Sequence, residues 1–218
     1  DNMMFMGEVS ENNFLGKGQR VSLQANMSSR SSRYNFSFTE PHLNDTKLLF
    51  GYDIYNWSRE YDDYTKDSTG AALRFAYPIW NKWNLGWGYG VDDTKMTDVM
   101  VTNVPQTLLD SMLIETTSYV RLGLSKDTRN KLTDASKGWL TTYSVKHAGG
   151  VLGGDSSFTK YEATSGWYYP LWWDTIFHVK RSIGDVVENE EGKLPVYEKF
   201  YLGGLNTIRG FDNGKVSP

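Results

Sequence analysis

Residues 71–91, AALRFAYPIWNKWNLGWGYGV, carry the pattern that decides the fold. From Ala71 to Ile79 an apolar residue recurs at every second position, and after the central WNKW the apolar residues at 85, 87, 89 and 91 alternate with glycines. A period of two is typical of a β-strand with one apolar face, because successive side chains point to opposite sides. The segment therefore predicts two strands joined by a tight turn, and the second strand has all of its bulky side chains on one face.

The same period recurs along the rest of the chain. A fainter run opens the chain at 3–9, and clear runs follow at 21–27, 34–38, 48–54, 118–128, 137–147, 159–172 and 175–186. An aromatic content of 15% and 21 glycines agree with a chain of strands and turns. With the two strands of 71–91, these runs predict about ten strands.

The connections between the predicted strands alternate between short and long. Short turns are predicted at 15–18, near 44, at 80–83 and at 173–175, and longer connections at 28–33, 61–67, 98–115, 149–157 and 187–218. Segment 128–138 is longer than this rule predicts. The alternation favours an all-β, antiparallel, up-and-down transmembrane β-barrel whose short turns face the periplasm. A soluble lipid-binding barrel or a β-sandwich would also alternate, but would not expose so much Trp and Tyr at its turns.

Tryptophans cluster near the predicted short turns. EPHL at 40–43, YPIW at 77–80 and YPLW at 169–172 form a weak internal repeat, in which proline ends a strand before a turn. Amphipathic rings are favoured where a membrane meets water. We therefore predict that a girdle of aromatic side chains marks one membrane interface, formed by Trp80, Trp83, Trp172 and Trp173.

Charged residues inside the strands test this assignment. A Lys or Arg that points into mid-membrane lipid costs ~2–4 kcal/mol, so strand charges should share the polar face. We call the odd or even place of a residue in its strand its parity. Parity places Arg181 on the apolar face and six other charged residues on the polar face: Asp53, Arg74, Arg121, Lys146, Glu162 and Lys180. By the same parity, Gly88→Ser should be tolerated better than Leu85→Arg or Trp87→Arg.

Composition excludes several classes of function. A net charge of −3 and a pI near 5.7 provide no basic surface for nucleic acid. The chain has no cysteine, and its three histidines are too scattered for a metal site or a catalytic triad. The glycine clusters lack the spacing of a nucleotide-binding loop. The sequence therefore predicts no enzyme activity and no cofactor.

Four motifs carry a resemblance to a known family. They are NNFLGKG at 12–18, FTEPH at 38–42, DTR at 127–129 and FYLGGLNTIRGF at 200–211. The chain resembles the BamA-type outer-membrane assembly factors of the bacterial surface antigen family across essentially its whole length. In that family, the last motif forms the tip of an extracellular lid loop that folds into the barrel. The resemblance implies that Gly203, Gly204, Ile208, Arg209, Gly210 and Phe211 form this lid-loop motif, with Arg209 bracing the lid.

The resemblance also implies a domain organisation. Family members have a sixteen-stranded barrel preceded by periplasmic POTRA domains. Residues 1–218 are then a partial β-barrel domain, with strands over about 3–186 and an extracellular lid loop over about 187–218. The POTRA domains and the first strand are expected to be absent from this chain.

The function that the resemblance implies is that of the central component of the machinery that folds and inserts β-barrel proteins into a Gram-negative outer membrane. The implied partners are unfolded outer-membrane proteins, accessory assembly lipoproteins, membrane lipid and lipopolysaccharide. A two-partner secretion transporter and a TamA-like translocation factor share the fold and stay open as alternatives. A passive porin is favoured least, because it would lack the RGF tip.

Overall fold

The chain is an all-β protein in the computed structural model, which describes residues 3–62, 64–99, 114–191 and 193–195. The described residues form ten strands in one antiparallel sheet, whose order follows the sequence. The predicted number of strands and the up-and-down order are confirmed. The strands are β1 (Met4–Phe14), β2 (Gln19–Ser28), β3 (Ser31–Glu40), β4 (Leu49–Glu60), β5 (Thr65–Pro78), β6 (Trp83–Thr97), β7 (Thr116–Asp127), β8 (Gly138–Ala148), β9 (Phe158–Pro170) and β10 (Ile176–Glu188).

Helical structure in the described residues is limited to three 3-10 turns between strands, Leu43–Asp45, Trp80–Lys82 and Gly150–Leu152. Among these residues, no helix has the length and apolar character needed to cross a membrane.

Cross-strand pairing sorts the side chains onto two faces. One row runs from Phe38 through Tyr52, Leu73 and Tyr89 to Val120, and we call this side of the sheet the apolar face. The opposite side, the polar face, holds the six charges that parity assigned to it: Asp53, Arg74, Arg121, Lys146, Glu162 and Lys180.

The 71–91 segment forms the predicted hairpin of β5 and β6. Leu73 lies opposite Tyr89 and Phe75 opposite Trp87. The Phe75 and Trp87 rings stack with centroids 5.7 Å apart and planes 8° apart. Aromatic cross-strand pairs of this kind stabilise an antiparallel sheet and help fix its register.

The two ends of the sheet differ in their connections. The turn rim comprises 15–18, 41–48, 79–82, 128–137 and 171–175. The loop rim comprises 29–30, 149–157 and, of the other connections at that end, the described residues 61–62, 64, 98–99, 114–115, 189–191 and 193–195. Two connections predicted to be long are short, because polar residues of SSRSSR and YDDYTKD continue the strands: Ser31 pairs with Arg59, and Thr65 with Glu60. Polarity at a strand end does not interrupt backbone pairing.

The weak sequence repeat corresponds to a repeated turn. The three connections that follow the repeat each contain two successive residues with positive φ, at Asn44 and Asp45, at Asn81 and Lys82, and at Trp173 and Asp174. Turn 15–18 also contains such a pair, at Leu15 and Gly16. Two successive left-handed residues form the type of turn whose twist matches that of the strands in a hairpin.

The backbone beside Gly88 restricts which side chains this position can hold. A Cβ at this position would collide with the backbone carbonyl oxygen of Leu73 on the neighbouring strand. Gly88→Ser therefore requires the neighbouring backbone to shift, and its better tolerance than that of Leu85→Arg or Trp87→Arg stays a prediction. Gly86 is different, since a Cβ there would lie 3.6 Å from the Phe75 carbonyl oxygen, an ordinary contact.

Candidate functional site: the membrane face and the polar wall

Large apolar side chains cover the apolar face instead of filling a core. Leu122 is 54% exposed, Ile183 56% and Tyr143 50%. A water-soluble protein rarely exposes an apolar surface that continues across so many strands, whereas a barrel in a bilayer presents such a surface to lipid. The apolar face therefore has the character of a membrane-facing surface.

Three of the four tryptophans predicted at the membrane interface project from the turn rim. Trp80 lies in turn 79–82, and Trp172 and Trp173 lie in turn 171–175. All three are highly exposed, and the rings of Trp172 and Trp173 meet edge to face with centroids 6.2 Å apart. Trp173 has a φ of 59°, which is uncommon for a bulky residue. The structure thus gathers these three rings at one end of the sheet.

The fourth tryptophan, Trp83, belongs to a different arrangement. Its ring lies half-buried beside Trp139 and Tyr143, at centroid distances of 6.5 and 6.4 Å. The Lys126 ammonium lies 5.7 Å from the Trp83 ring centroid and 5.4 Å from that of Trp139, in cation–π contact with both. Sequence reasoning missed Lys126 and Trp139, although the parity of β7 and β8 would have placed both on the apolar face.

A polar cluster centred on Arg74 ties together three strands on the opposite face. Its Nε donates to Asp53 Oδ2 at 2.6 Å, and its Nη2 donates to Thr39 Oγ1 at 3.0 Å. The other Asp53 oxygen accepts from Ser37 Oγ at 2.7 Å. The guanidinium lies across Gly51, where a Cβ would come within 2.6 Å of Nη2. A Cβ would also lie 2.8 Å from the Phe38 carbonyl oxygen, so backbone as well as the guanidinium favours glycine at this position.

A second polar cluster lies nearer the loop rim. The Tyr55 hydroxyl donates to Asp92, whose other oxygen accepts from Thr94 Oγ1 at 2.5 Å. Thr94 Oγ1 also lies 2.8 Å from Ser68 Oγ. The Tyr55 ring covers Gly70, in the space that a larger side chain would fill. The polar face is therefore a wall of paired charges and hydroxyls, suited to contact water or a polar chain segment.

β10 places two charges on the apolar face. Arg181 lies opposite Ser165, and Asp185 lies opposite Tyr161. The sequence identified Arg181 as an exception to the polar parity but missed Asp185, which has the same parity. Within the described part of the chain, neither side chain forms an ion pair.

The lid-loop motif lies outside the described residues. Gly203, Gly204, Ile208, Arg209, Gly210 and Phe211 all fall beyond 195. The preceding residues lie against the loop rim: the Asn189 N–H donates to the Ser157 carbonyl oxygen at 3.1 Å, and the Ser157 N–H donates to the Lys193 carbonyl oxygen at 2.9 Å. These bonds fix where the chain leaves β10.

The described residues contain no cluster of three or more His, Cys, Asp or Glu side chains that could hold a metal ion. On the polar face, Asp53 instead pairs with Arg74, and Glu162 pairs with Lys160.

The sheet, its apolar outer surface and its polar wall define an outer-membrane β-barrel. Residues 13–218 match the model of the Omp85 superfamily domain, and the chain belongs to that superfamily.

Two relatives and one solved structure are similar to the chain. It is 34% identical over 213 residues to the outer membrane protein assembly factor BamA of Nitratidesulfovibrio vulgaris, covering 97% of this chain and 27% of the relative. It is 23% identical over 213 residues to the sorting and assembly machinery component 50 homolog of Mus musculus, covering 94% of this chain and 44% of the relative. The crystal structure of BamA from Haemophilus ducreyi lacking POTRA domains 1–3 superposes with a TM-score of 0.83 at 19% identity, covering 99% of this chain and 44% of that chain.

The resemblance to BamA-type proteins is confirmed. The chain spans only 27% of the length of the BamA relative and 44% of the component 50 homolog.

Proposed function

We propose that this chain is the barrel-forming part of a protein that folds and inserts β-barrel proteins into the outer membrane of a Gram-negative bacterium. The observation that carries the proposal is the 34% identity, over 97% of the chain, to a protein named as an outer membrane protein assembly factor. The exposed apolar face and the paired polar wall fit such a role, which needs a stable membrane scaffold and no catalytic group. The activity is therefore non-enzymatic.

The proposed partners follow from the same role. Unfolded outer-membrane proteins are the substrates, and the accessory assembly lipoproteins act with the whole protein. Membrane phospholipid and lipopolysaccharide surround the barrel. The turn rim faces the periplasm and the loop rim faces outside, the usual orientation of barrels in this membrane. POTRA domains and further strands, which are not in this chain, complete the protein.

A dedicated secretion pore and a TamA-like translocation factor are the alternatives within the same fold. The names of both curated relatives refer to assembly, which favours the assembly role. The test is depletion of the full-length protein, followed by quantification of several unrelated outer-membrane barrels and of secreted proteins. We expect a broad fall in the barrels. Loss of a single secreted protein with normal barrel levels would instead identify a secretion pore.

We further propose that 187–218 forms the lid loop and that its tip, Ile208 to Phe211, folds against the polar wall. Two observations support this. The loop begins on the loop rim, where Asn189 and Lys193 bond to Ser157. The wall is also rich in hydroxyl and carboxylate groups, which suit contact with a polar segment. Because Asp53 and Asp92 are already bonded within the wall, we propose that Arg209 binds another carboxylate.

Arg209→Ala should loosen this lid. Loss of the forked hydrogen bonds of a guanidinium frees the tip, so limited proteolysis of the full-length protein in membranes should cleave within 187–218 about fivefold faster. Arg209→Lys keeps the positive charge but not the forked hydrogen bonds, so its cleavage rate should lie between those of the wild-type protein and Arg209→Ala. Cleavage of Arg209→Ala at the wild-type rate would contradict a docked tip.

A further inference from the structure

An apolar groove crosses the apolar face over strands β6 to β10, from Leu85 to Ile183. It has a volume of about 480 Å³, and its floor follows one register row, Leu124, Tyr143, Ala163 and Ile183. Ala163 is the small residue of this row and lies between the larger side chains of Tyr143 and Ile183. At a strand spacing of about 4.8 Å, the row spans about 14 Å.

The distance between the groove and the turn rim increases from β7 to β9. Leu124 lies three residues before the end of β7, Tyr143 lies five residues after the start of β8, and Ala163 lies seven residues before the end of β9. Strands in membrane barrels tilt by about 35–45°, so a row in register is inclined to the membrane. The groove therefore runs from the membrane interface at the turn rim towards the membrane interior.

The two ends of the groove carry opposite charges. At the turn rim, Lys126 follows Leu124 by two residues on the same face, about 7 Å away, and its ammonium lies over the Trp83 and Trp139 rings. Within the described residues, Lys126 forms no ion pair with a carboxylate. At the other end, Asp185 lines the groove.

We propose that this groove is a binding site for one anionic glycerophospholipid of the leaflet that meets the turn rim. The phosphate binds the Lys126 ammonium beside the two tryptophans, and one acyl chain lies along Leu124 and Tyr143 to Ala163. The charges set the orientation, because a phosphate at the far end would meet the Asp185 carboxylate. The Asp185 carboxylate also disfavours an anionic lipid that enters from the loop rim, where lipopolysaccharide would lie.

The test is native mass spectrometry of the full-length protein in detergent, titrated with 1-palmitoyl-2-oleoyl phosphatidylglycerol. Lys126→Ala should weaken retention of the first lipid about fivefold, the effect of removing one cation near an anionic lipid, and Lys126→Arg should restore it. Ala163→Trp should fill the groove, yet is compatible with a lipid-facing surface, and should weaken retention about tenfold through loss of acyl-chain contact. Lys47→Ala removes an exposed lysine at the same rim but far from the groove, and should leave retention unchanged.

Folding of each variant is checked by its heat-modifiable migration on gels, and Ala163→Trp and Lys126→Arg keep the test decisive if Lys126→Ala misfolds. Wild-type retention by Lys126→Ala or by Ala163→Trp would overturn the site. If Lys47→Ala weakened lipid retention as much as Lys126→Ala, retention would depend on the general charge of the rim, and the proposed site would also be overturned. Displacement of phosphatidylglycerol by lipid A at equal concentration would contradict the assigned leaflet. None of these outcomes depends on whether the protein assembles other barrels.

Discussion

Trp87→Arg is expected to abolish most assembly of this protein into the membrane. Trp87 projects from the apolar face of β6, five residues into the strand, and stacks on Phe75. An arginine there would point into lipid, at a cost of ~2–4 kcal/mol near the bilayer centre. This cost removes a large share of the ~5–15 kcal/mol by which native proteins are stable, so less of the chain should insert and reach the folded state. The measurement is the heat-modifiable, folded band of the full-length protein in isolated outer membranes.

Two controls separate charge from packing. Trp87→Leu loses the ring stack but stays apolar, and should keep most of the folded band. Ala76→Arg introduces the same charge on the polar face of the neighbouring strand, opposite Gly86, and should also assemble. If Ala76→Arg fails as completely as Trp87→Arg, the assignment of the two faces would be wrong.

Arg74→Met should produce the largest loss among changes on the polar face. The guanidinium joins β3, β4 and β5 through Thr39, Ser37 and Asp53, and its removal leaves the Asp53 carboxylate without its cation. Arg74 is 39% and Asp53 23% exposed, so water compensates in part and the expected loss is about 2 kcal/mol in the free energy of unfolding. Denaturant unfolding in lipid vesicles, followed by tryptophan fluorescence, measures this loss.

A double-mutant cycle measures the coupling free energy between Arg74 and Asp53. Asp53→Asn removes the charge of the partner, and the variant carrying both changes should be destabilised by ~1–2 kcal/mol less than the sum of the single effects. Arg20→Met is the matched control, because Arg20 is exposed at the turn rim and forms no ion pair within the described residues. Strictly additive effects of Arg74→Met and Asp53→Asn would show that the contact contributes no coupling.

The sequence by itself determined the strands and their two faces. In a strand, the direction of a side chain depends only on whether its position is odd or even, so the alternation in 71–91 was enough to separate Trp87 from Arg74. The same parity identified Arg181 as a charge on the apolar face. The four quoted motifs, above all FYLGGLNTIRGF, indicated the family, which the match over 13–218 confirms.

Only the tertiary structure decided which side chains meet across strands. Trp83 and Lys126 are far apart in sequence, but the register of β6 and β7 places them opposite each other. Register also brings the Leu73 carbonyl oxygen against Gly88, so backbone rather than open space lies beside a glycine that parity places on the polar face. Such neighbours depend on turn lengths and on where backbone pairing stops, and SSRSSR and YDDYTKD show that local polarity does not fix those points.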